Sequence, residues 1–280
     1  MKNLYCFANN KIELLENAGV PVGDLMVQRG YGIFDFLRVQ DNKPLFIEAH
    51  LNRFFNSAAI MRLHIKETRQ QVTALVYQII EKNNIPNAGI RLLIGGGDAP
   101  DGYTISAPHL IIIQQPLAAP SDNLDDKGIH LVSYNYKRQL AEVKTTDYLM
   151  AIWLQPWMKS LGGDDILYHH GGFITECPRS NIFIVTADNV LVTPSLGMLK
   201  GITRNNILSI AAENNIPFEE RPVHLDEFAT AKESFITSST KRMTLVRQMD
   251  NYLLDTKSGN SLGRIAFDLL LKKERLFSSL

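Results

Sequence analysis

Apolar positions along this chain switch between two periods, and the switches mark where strands give way to helices. Residues 34–39 are a short apolar run bounded by glycine, which predicts a strand. Residues 45–47 are its expected partner across an Asp41-Asn42-Lys43-Pro44 turn. From Glu48 the apolar residues recur at Leu51, Phe54, Phe55, Ala58 and Met61, the spacing of a helix with one buried stripe. A second helix is expected over 68–83, with Val72, Leu75, Val76, Ile79 and Ile80 on one side. Residues 90–94 and 110–114 read as strands separated by a loop containing Gly95-Gly96-Gly97, in which no Gly-Lys-Ser/Thr follows to suggest a nucleotide loop.

Gln115-Pro116-Leu117-Ala118-Ala119-Pro120-Ser121 has two prolines, small residues and no period. The expected division is therefore a smaller N-terminal α/β domain over 1–115, a linker over 116–121 and a larger C-terminal domain over 122–280. In the second half, 129–134 predicts a strand and 146–161 a helix. Residues 181–186 and 190–193 flank an Ala187-Asp188-Asn189 turn as a hairpin, and Thr203 is the expected cap of a helix reaching about 214. A strand at 235–237 and a helix at 264–275 complete an α+β architecture without internal repeats.

Composition narrows the function classes. Lys plus Arg equals Asp plus Glu at 29 each, so no net field draws the chain to nucleic acid or an acidic membrane surface. Cys6 and Cys177 make no disulfide framework, and the longest aliphatic run, 110–113, is far short of a membrane span. With no signal-like N-terminal run, a cytoplasmic protein is expected.

Four groups carry candidate chemistry. His50 and Arg53 lie three apart at the start of a helix, where an arginine can hold a phosphate in a bidentate fork. Lys144, directly after Val143, stands at a strand end where partial desolvation would leave a free amine able to form a Schiff base. Glu176 lies where one β segment turns into the next, and a buried carboxylate there needs a cationic partner such as a protonated pyridine nitrogen. Gly201, followed by Ile202 and Thr203, exposes free N–H groups at a helix start, a phosphate seat that the hydroxyls of Ser238, Ser239 and Thr240 could complete. Taken singly, each has an ordinary reading as a solvated side chain or a routine helix start. No grouping points to a metal.

The order His-x-x-Arg, then Lys, then Glu-x4-Asn-Ile-Phe, then Thr-Pro and Gly-Ile-Thr-Arg, resembles the fold-type IV pyridoxal-phosphate enzymes over about 30–246. That family holds branched-chain aminotransferases, D-amino-acid aminotransferases and aminodeoxychorismate lyases. The resemblance implies two domains of the D-amino-acid aminotransferase-like type with pyridoxal 5'-phosphate bound between them, and a homodimer acting on small-molecule substrates, an amino acid and a 2-oxo acid. It makes Lys144 the Schiff-base lysine that also moves the α-proton, and Glu176 the partner of the pyridine nitrogen. Arg53, the N–H groups of Ile202 and Thr203, and the turn Ser238-Ser239 become phosphate ligands. Phe34, Arg91, Tyr148 and Thr240 fall on the substrate side.

The pattern also departs from the family. Arg29 and Tyr31 replace an aromatic residue and an acid of the early glycine motif, and Asp35 stands where glutamate is usual. Lys144 and Tyr148 are one residue closer than in branched-chain enzymes, with Asp147 in place of Asn, and the run from Thr193 to Gly201 is slightly short. Gly95-Gly96-Gly97-Asp98 lacks the Arg and His with which D-amino-acid enzymes trap a carboxylate. Phe36 takes the place of a threonine that assists elimination in the lyases. The expected activity is therefore an aminotransferase acting on a branched-chain-like or D-amino acid. The alternative is a 4-amino-4-deoxychorismate lyase, and behind both stands a binding module without catalysis.

Overall fold

In the computed structural model, which describes residues 3–259 and 261–279, the chain divides into two units. The first comprises Met1–Ala119 with Val143–Asp147 and Phe277–Leu280, the second Pro120–Glu142 with Tyr148–Leu276.

The first unit runs β1 (Tyr5–Ala8), β2 (Lys11–Leu14), α1 (Leu25–Arg29), β3 (Gly32–Gln40), β4 (Lys43–Pro44), α2 (Ile47–Ile60), α3 (Arg69–Asn83), β5 (Ala88–Gly95) and β6 (Leu110–Pro116). Its strands form an antiparallel sheet in the order β2-β1-β6-β5-β3-β4. Leu51 and Phe54 of α2 and Val72, Val76 and Ile79 of α3, each fully buried, pack on Ile33, Leu37, Ile90, Leu92 and Ile112. Burying each such side chain contributes about 1.5–3 kcal/mol. A capping box between Thr68 and Gln71 starts α3 where the sequence places it.

The strand expected at 45–47 is not formed. Asp41 and Asn42 both take left-handed φ, 52° and 61°, and close a two-residue turn whose twist suits a hairpin. Pairing is thereby confined to Val39–Pro44 and Gln40–Lys43, and Ile47 already opens α2. β6 extends through Pro116, the first residue of the expected linker.

Residues 143–147 lie far along the chain from this sheet, yet they join it. Val143 is fully buried in its core, the Phe34 amide donates to the Lys144 carbonyl at 2.9 Å, and the Thr146 amide donates to the Gly32 carbonyl at 2.9 Å. The Thr146 hydroxyl adds a bond to the Gly30 carbonyl at 3.0 Å. The lysine segment thus belongs to the first unit, a placement at odds with an uninterrupted 122–280 domain.

The second unit runs β7 (Ile129–Asn135), α4 (Leu149–Trp153), α5 (Gln155–Ser160), β8 (Asp165–His170), β9 (Phe173–Ile174), β10 (Asn181–Val185), β11 (Leu191–Thr193), α6 (Ile202–Glu213), β12 (Phe218–Glu220), β13 (Glu233–Ser238), β14 (Arg242–Met249), β15 (Tyr252–Leu253) and α7 (Leu262–Ser279). Its sheet has the order β12-β11-β10-β13-β14-β7-β8-β9, with β15 on β14, and mixes parallel and antiparallel pairs. Phe183 and Phe235 on one face pack with Ile207 and Ile210 of α6 and Phe267 and Leu270 of α7, while Ile182, Ile184 and Ile236 pack on the other. The single helix expected over 146–161 is broken into α4 and α5. Pro156 lacks the N–H that a continuous helix would need, so a new helix starts around it. Nor does Thr203 cap α6: Gly201 is the N-cap, and Thr203 lies inside the first turn.

Candidate active site

In the first unit the alternation of β3 sends neighbouring side chains to opposite faces of the sheet. Asp35 points toward α2. It is fully buried, and Arg53 clamps it through Nε to Oδ2 and Nη2 to Oδ1, each at 2.8 Å. His50, one turn before Arg53, donates from Nδ1 to Asp35 Oδ1 at 2.7 Å, and the Phe36 amide donates to the same oxygen at 2.7 Å. Burial alone would push this carboxyl up, but Arg53 and His50 outweigh it and hold the carboxyl well below the usual carboxylate range. Burial pushes the His50 imidazole down, against the pull of Asp35, so His50 is neutral at neutral pH.

This geometry corrects one expectation. The fork of Arg53 is spent on Asp35, not left open for a bidentate phosphate, and Nη1 is the nitrogen without a hydrogen bond among the described residues.

The opposite face of β3 carries Phe34 and Phe36, both buried. Arg91 from β5 lays its guanidinium over both rings, at 5.1 and 5.6 Å from the centroids. Gly89 makes room: a Cβ there would sit 2.1 Å from Phe36 Cζ. Lys144, half-buried, brings Nζ to 4.5 Å from the Phe34 centroid. Phe34, Arg91 and Lys144 are therefore gathered on one surface. Tyr31, which replaces the family's acid, has a structural bond, its hydroxyl donating to the Met61 carbonyl at 2.7 Å. Gly97 is packed against the Ala107 backbone, leaving no space for a side chain at φ 84°.

In the second unit Glu176 is buried, and its carboxylate accepts from Arg138 Nε at 2.7 Å and from the Leu199 amide at 3.0 Å. Arg138 also donates to the Ala141 carbonyl at 2.6 Å. Beyond its place six residues before the lysine, nothing local in the sequence singles out Arg138: a pyridinium is the cation expected for a buried Glu176, whereas the chain supplies one itself.

Ile202 and Thr203, both buried, are the first residues of α6, and no side chain caps their N–H groups. Gly201 is required at the N-cap because a Cβ would meet Asn181 Oδ1 at 2.1 Å, and Asn181 in turn donates from Nδ2 to the Leu199 carbonyl at 2.7 Å. Thr237 pairs with Asn181 across β13 and β10, so both side chains face the α6 side of the sheet. Among the described residues the Thr237 hydroxyl is buried without a hydrogen-bond partner, a second feature with no local signal in the sequence. Ser238 ends β13; its Oγ accepts from the Lys241 amide at 3.2 Å, while Ser239 and Thr240 form the turn beyond it. Tyr148, half-buried, is the residue before α4. The uncapped helix start, the orphaned hydroxyl and a glycine cradle that admits no Cβ are what a phosphate site needs.

Comparison with known proteins bears on the whole chain. A family model described as amino-transferase class IV matches residues 32–249. A putative branched-chain-amino-acid aminotransferase of Methanocaldococcus jannaschii is 29% identical over 262 residues, covering 90% of each chain. A D-alanine aminotransferase of Staphylococcus epidermidis is 25% identical over 251 residues, 87% of this chain and 88% of that one. Among solved structures, the branched-chain amino acid aminotransferase of Escherichia coli has a TM-score of 0.88 at 24% identity, covering 98% of this chain and 95% of that one. The protein belongs to the class IV aminotransferase family.

Proposed function

We propose that this protein is a pyridoxal-phosphate-dependent aminotransferase that moves an amino group between an amino acid, branched-chain-like or D-, and a 2-oxo acid. The observation that carries the reading is Lys144, pinned through its backbone to β3 with its amine set against the Phe34 ring beside Arg91. A structural lysine has no need of that placement. That placement holds the amine at one edge of an apolar wall, where a nucleophile and proton carrier has to stand.

The residues fit the cofactor. Within the second unit its phosphate would be held by the N–H groups of Ile202 and Thr203 and the hydroxyls of Ser238 and Ser239; Arg53 of the first unit is added by the family resemblance alone. Its ring nitrogen would face Glu176. When bound, the cofactor supplies an aldehyde carbon that joins amines and a ring that takes up the electron pair of a broken Cα–H bond. Lys144 Nζ would take the proton from the substrate Cα and give it back during the transfer. Arg138 keeps the Glu176 carboxylate fixed and charge-balanced, and Phe34 and Phe36 give the substrate side chain an apolar wall. Arg91, immobilised on those rings, offers a guanidinium to a carboxylate.

The test is a half-reaction. Protein loaded with pyridoxal phosphate is mixed with one L- or D-amino acid and no acceptor, and the 2-oxo acid released is counted. About one equivalent per chain with one enantiomer, abolished in Lys144→Ala, supports the reading and settles the stereochemistry. Borohydride reduction followed by peptide mapping should place the cofactor on Lys144. Pyruvate released from aminodeoxychorismate, with no half-reaction on any amino acid, would assign the chain to the lyases instead.

A further inference from the structure

The second unit holds a cavity of about 350 Å³ where α4 and α5 meet the start of β8 and the loop after Glu176. None of Glu176, Ile202, Thr203, Ser238 or Ser239 lines it. Its wall is apolar where Ile152 and Met158 contribute, and three charged residues, Asp164, Asp165 and Arg179, stand on it. Arg179 is exposed and makes no hydrogen bond or ion pair among the described residues. Asp165 accepts from the Ile166 amide through Oδ1, while Oδ2 carries no hydrogen bond among the described residues. No ion pair closes between Asp165 and Arg179 among the described residues, although the charges of Lys241 and Arg179 both reach the carboxylate. The neighbouring Asp164 is already engaged by the His130 amide at 2.9 Å and Arg247 at 3.3 Å.

We propose that this cavity is a second binding site, one for a free amino acid with an apolar side chain. Arg179 receives its carboxylate, Asp165 its ammonium, and Ile152 and Met158 its side chain. A volume of this size is ample for such a molecule and falls at the low end of small-ligand pockets. A neutral apolar ligand would leave both charges unmatched, and a simple anion or amine would leave one. Only a zwitterion answers both, with charge-assisted hydrogen bonds at each end. Burial pushes the Asp165 carboxyl up, against the pull of Lys241 and Arg179, neither of which forms an ion pair with it among the described residues. Tyr148 is on the cavity wall and is also the predicted substrate contact nearest to it in the chain, so occupancy would reach the reacting side through that residue. The site would then sense the pool of amino acids independently of turnover.

The chain has two tryptophans, Trp153 on α4 and Trp157 on α5, and both helices border the cavity, so intrinsic fluorescence reports on it. Leucine of either hand, leucinamide and 4-methylpentanoate are titrated into cofactor-free Lys144→Ala protein, in which neither the lysine nor the cofactor aldehyde is present to react with them. Expected is saturable binding of one leucine enantiomer, about tenfold tighter than leucinamide or 4-methylpentanoate, since each lacks one charge-assisted contact. Arg179→Met should erase the preference for leucine over leucinamide. Asp165→Asn should erase that over 4-methylpentanoate. Arg179 is exposed and makes no hydrogen bond, so its variant will fold even if Asp165→Asn does not. Binding unaffected by Arg179→Met, or no saturable binding, overturns the proposal. Binding seen in the wild type but lost in Lys144→Ala would place the amino acid at the lysine alone and likewise overturn it, while leaving the aminotransferase reading intact.

Discussion

Replacing Asp35 with asparagine should unfold the first unit more readily than any surface charge change. The buried carboxylate takes four donors: the Phe36 amide and His50 Nδ1 at 2.7 Å, and Arg53 Nε and Nη2 at 2.8 Å. Asparagine is isosteric, yet its Nδ2 must face one of those donors. Its carbonyl can keep the three contacts on Oδ1, but Nδ2 then meets Arg53 Nε, N–H against N–H. The guanidinium also loses its counter-charge, with its side chain only 11% exposed. Removing one partner of a buried pair costs about 3–5 kcal/mol. As a reference, Arg247→Gln removes a half-exposed pair 3.3 Å long to Asp164 and should cost less than about 1 kcal/mol.

Urea melts of both variants at neutral pH, with cofactor retention measured in parallel, decide the matter. Asp35→Asn is expected to shift the midpoint far more and to weaken retention, because Arg53 is no longer held. Asp35→Glu, which restores the charge, should recover part of both. The folded-state carboxyl lies below its unfolded value of about 3.9, so the stabilisation is complete above about pH 4 and is lost as the pH falls further. The difference between wild type and Asp35→Asn should therefore be constant from pH 7 to 8, above the range in which His50, which Asp35 pulls on, takes up its proton. A cost no greater than that of Arg247→Gln would refute the reasoning.

Arg138→Met leaves Glu176 buried without its cation. It should cut amine transfer by at least about tenfold, and single-turnover rates should fall with KM little changed if Arg138 acts through Glu176. Gly201→Ala drives a Cβ into Asn181 Oδ1 and should cost about 1–3 kcal/mol, read by thermal melt, with Asn181→Ala in the same chain relieving it. His50 is held neutral by burial, so the unfolded chain takes up its proton first as the pH drops. Its contribution should be present above about pH 6.5 and decline below, a slope that urea melts of His50→Gln should flatten.

The sequence alone determined what is local or periodic. Helical spacing from Leu51 to Met61 and from Val72 to Ile80 set the buried faces of α2 and α3, and the capping box at Thr68 set where α3 begins. The long separated order of His-x-x-Arg, Lys, Glu-x4-Asn and Gly-Ile-Thr-Arg was enough to name the family, which the match over residues 32–249 bears out. Tertiary structure decided what depends on partners distant in sequence. Lys144 belongs to the first unit because Val143 fills a core that begins more than a hundred residues earlier, and burial of that one side chain is invisible to any local window. Arg53 is committed to Asp35, and Glu176 to Arg138. Which of several charges neutralises a buried one is settled by packing, since low dielectric makes the nearest pair dominate and leaves the others as bystanders. The breaks in the expected elements, at Phe46 and around Pro156, have the same origin: a turn or a missing N–H overrode an apolar pattern that was correct on either side of it.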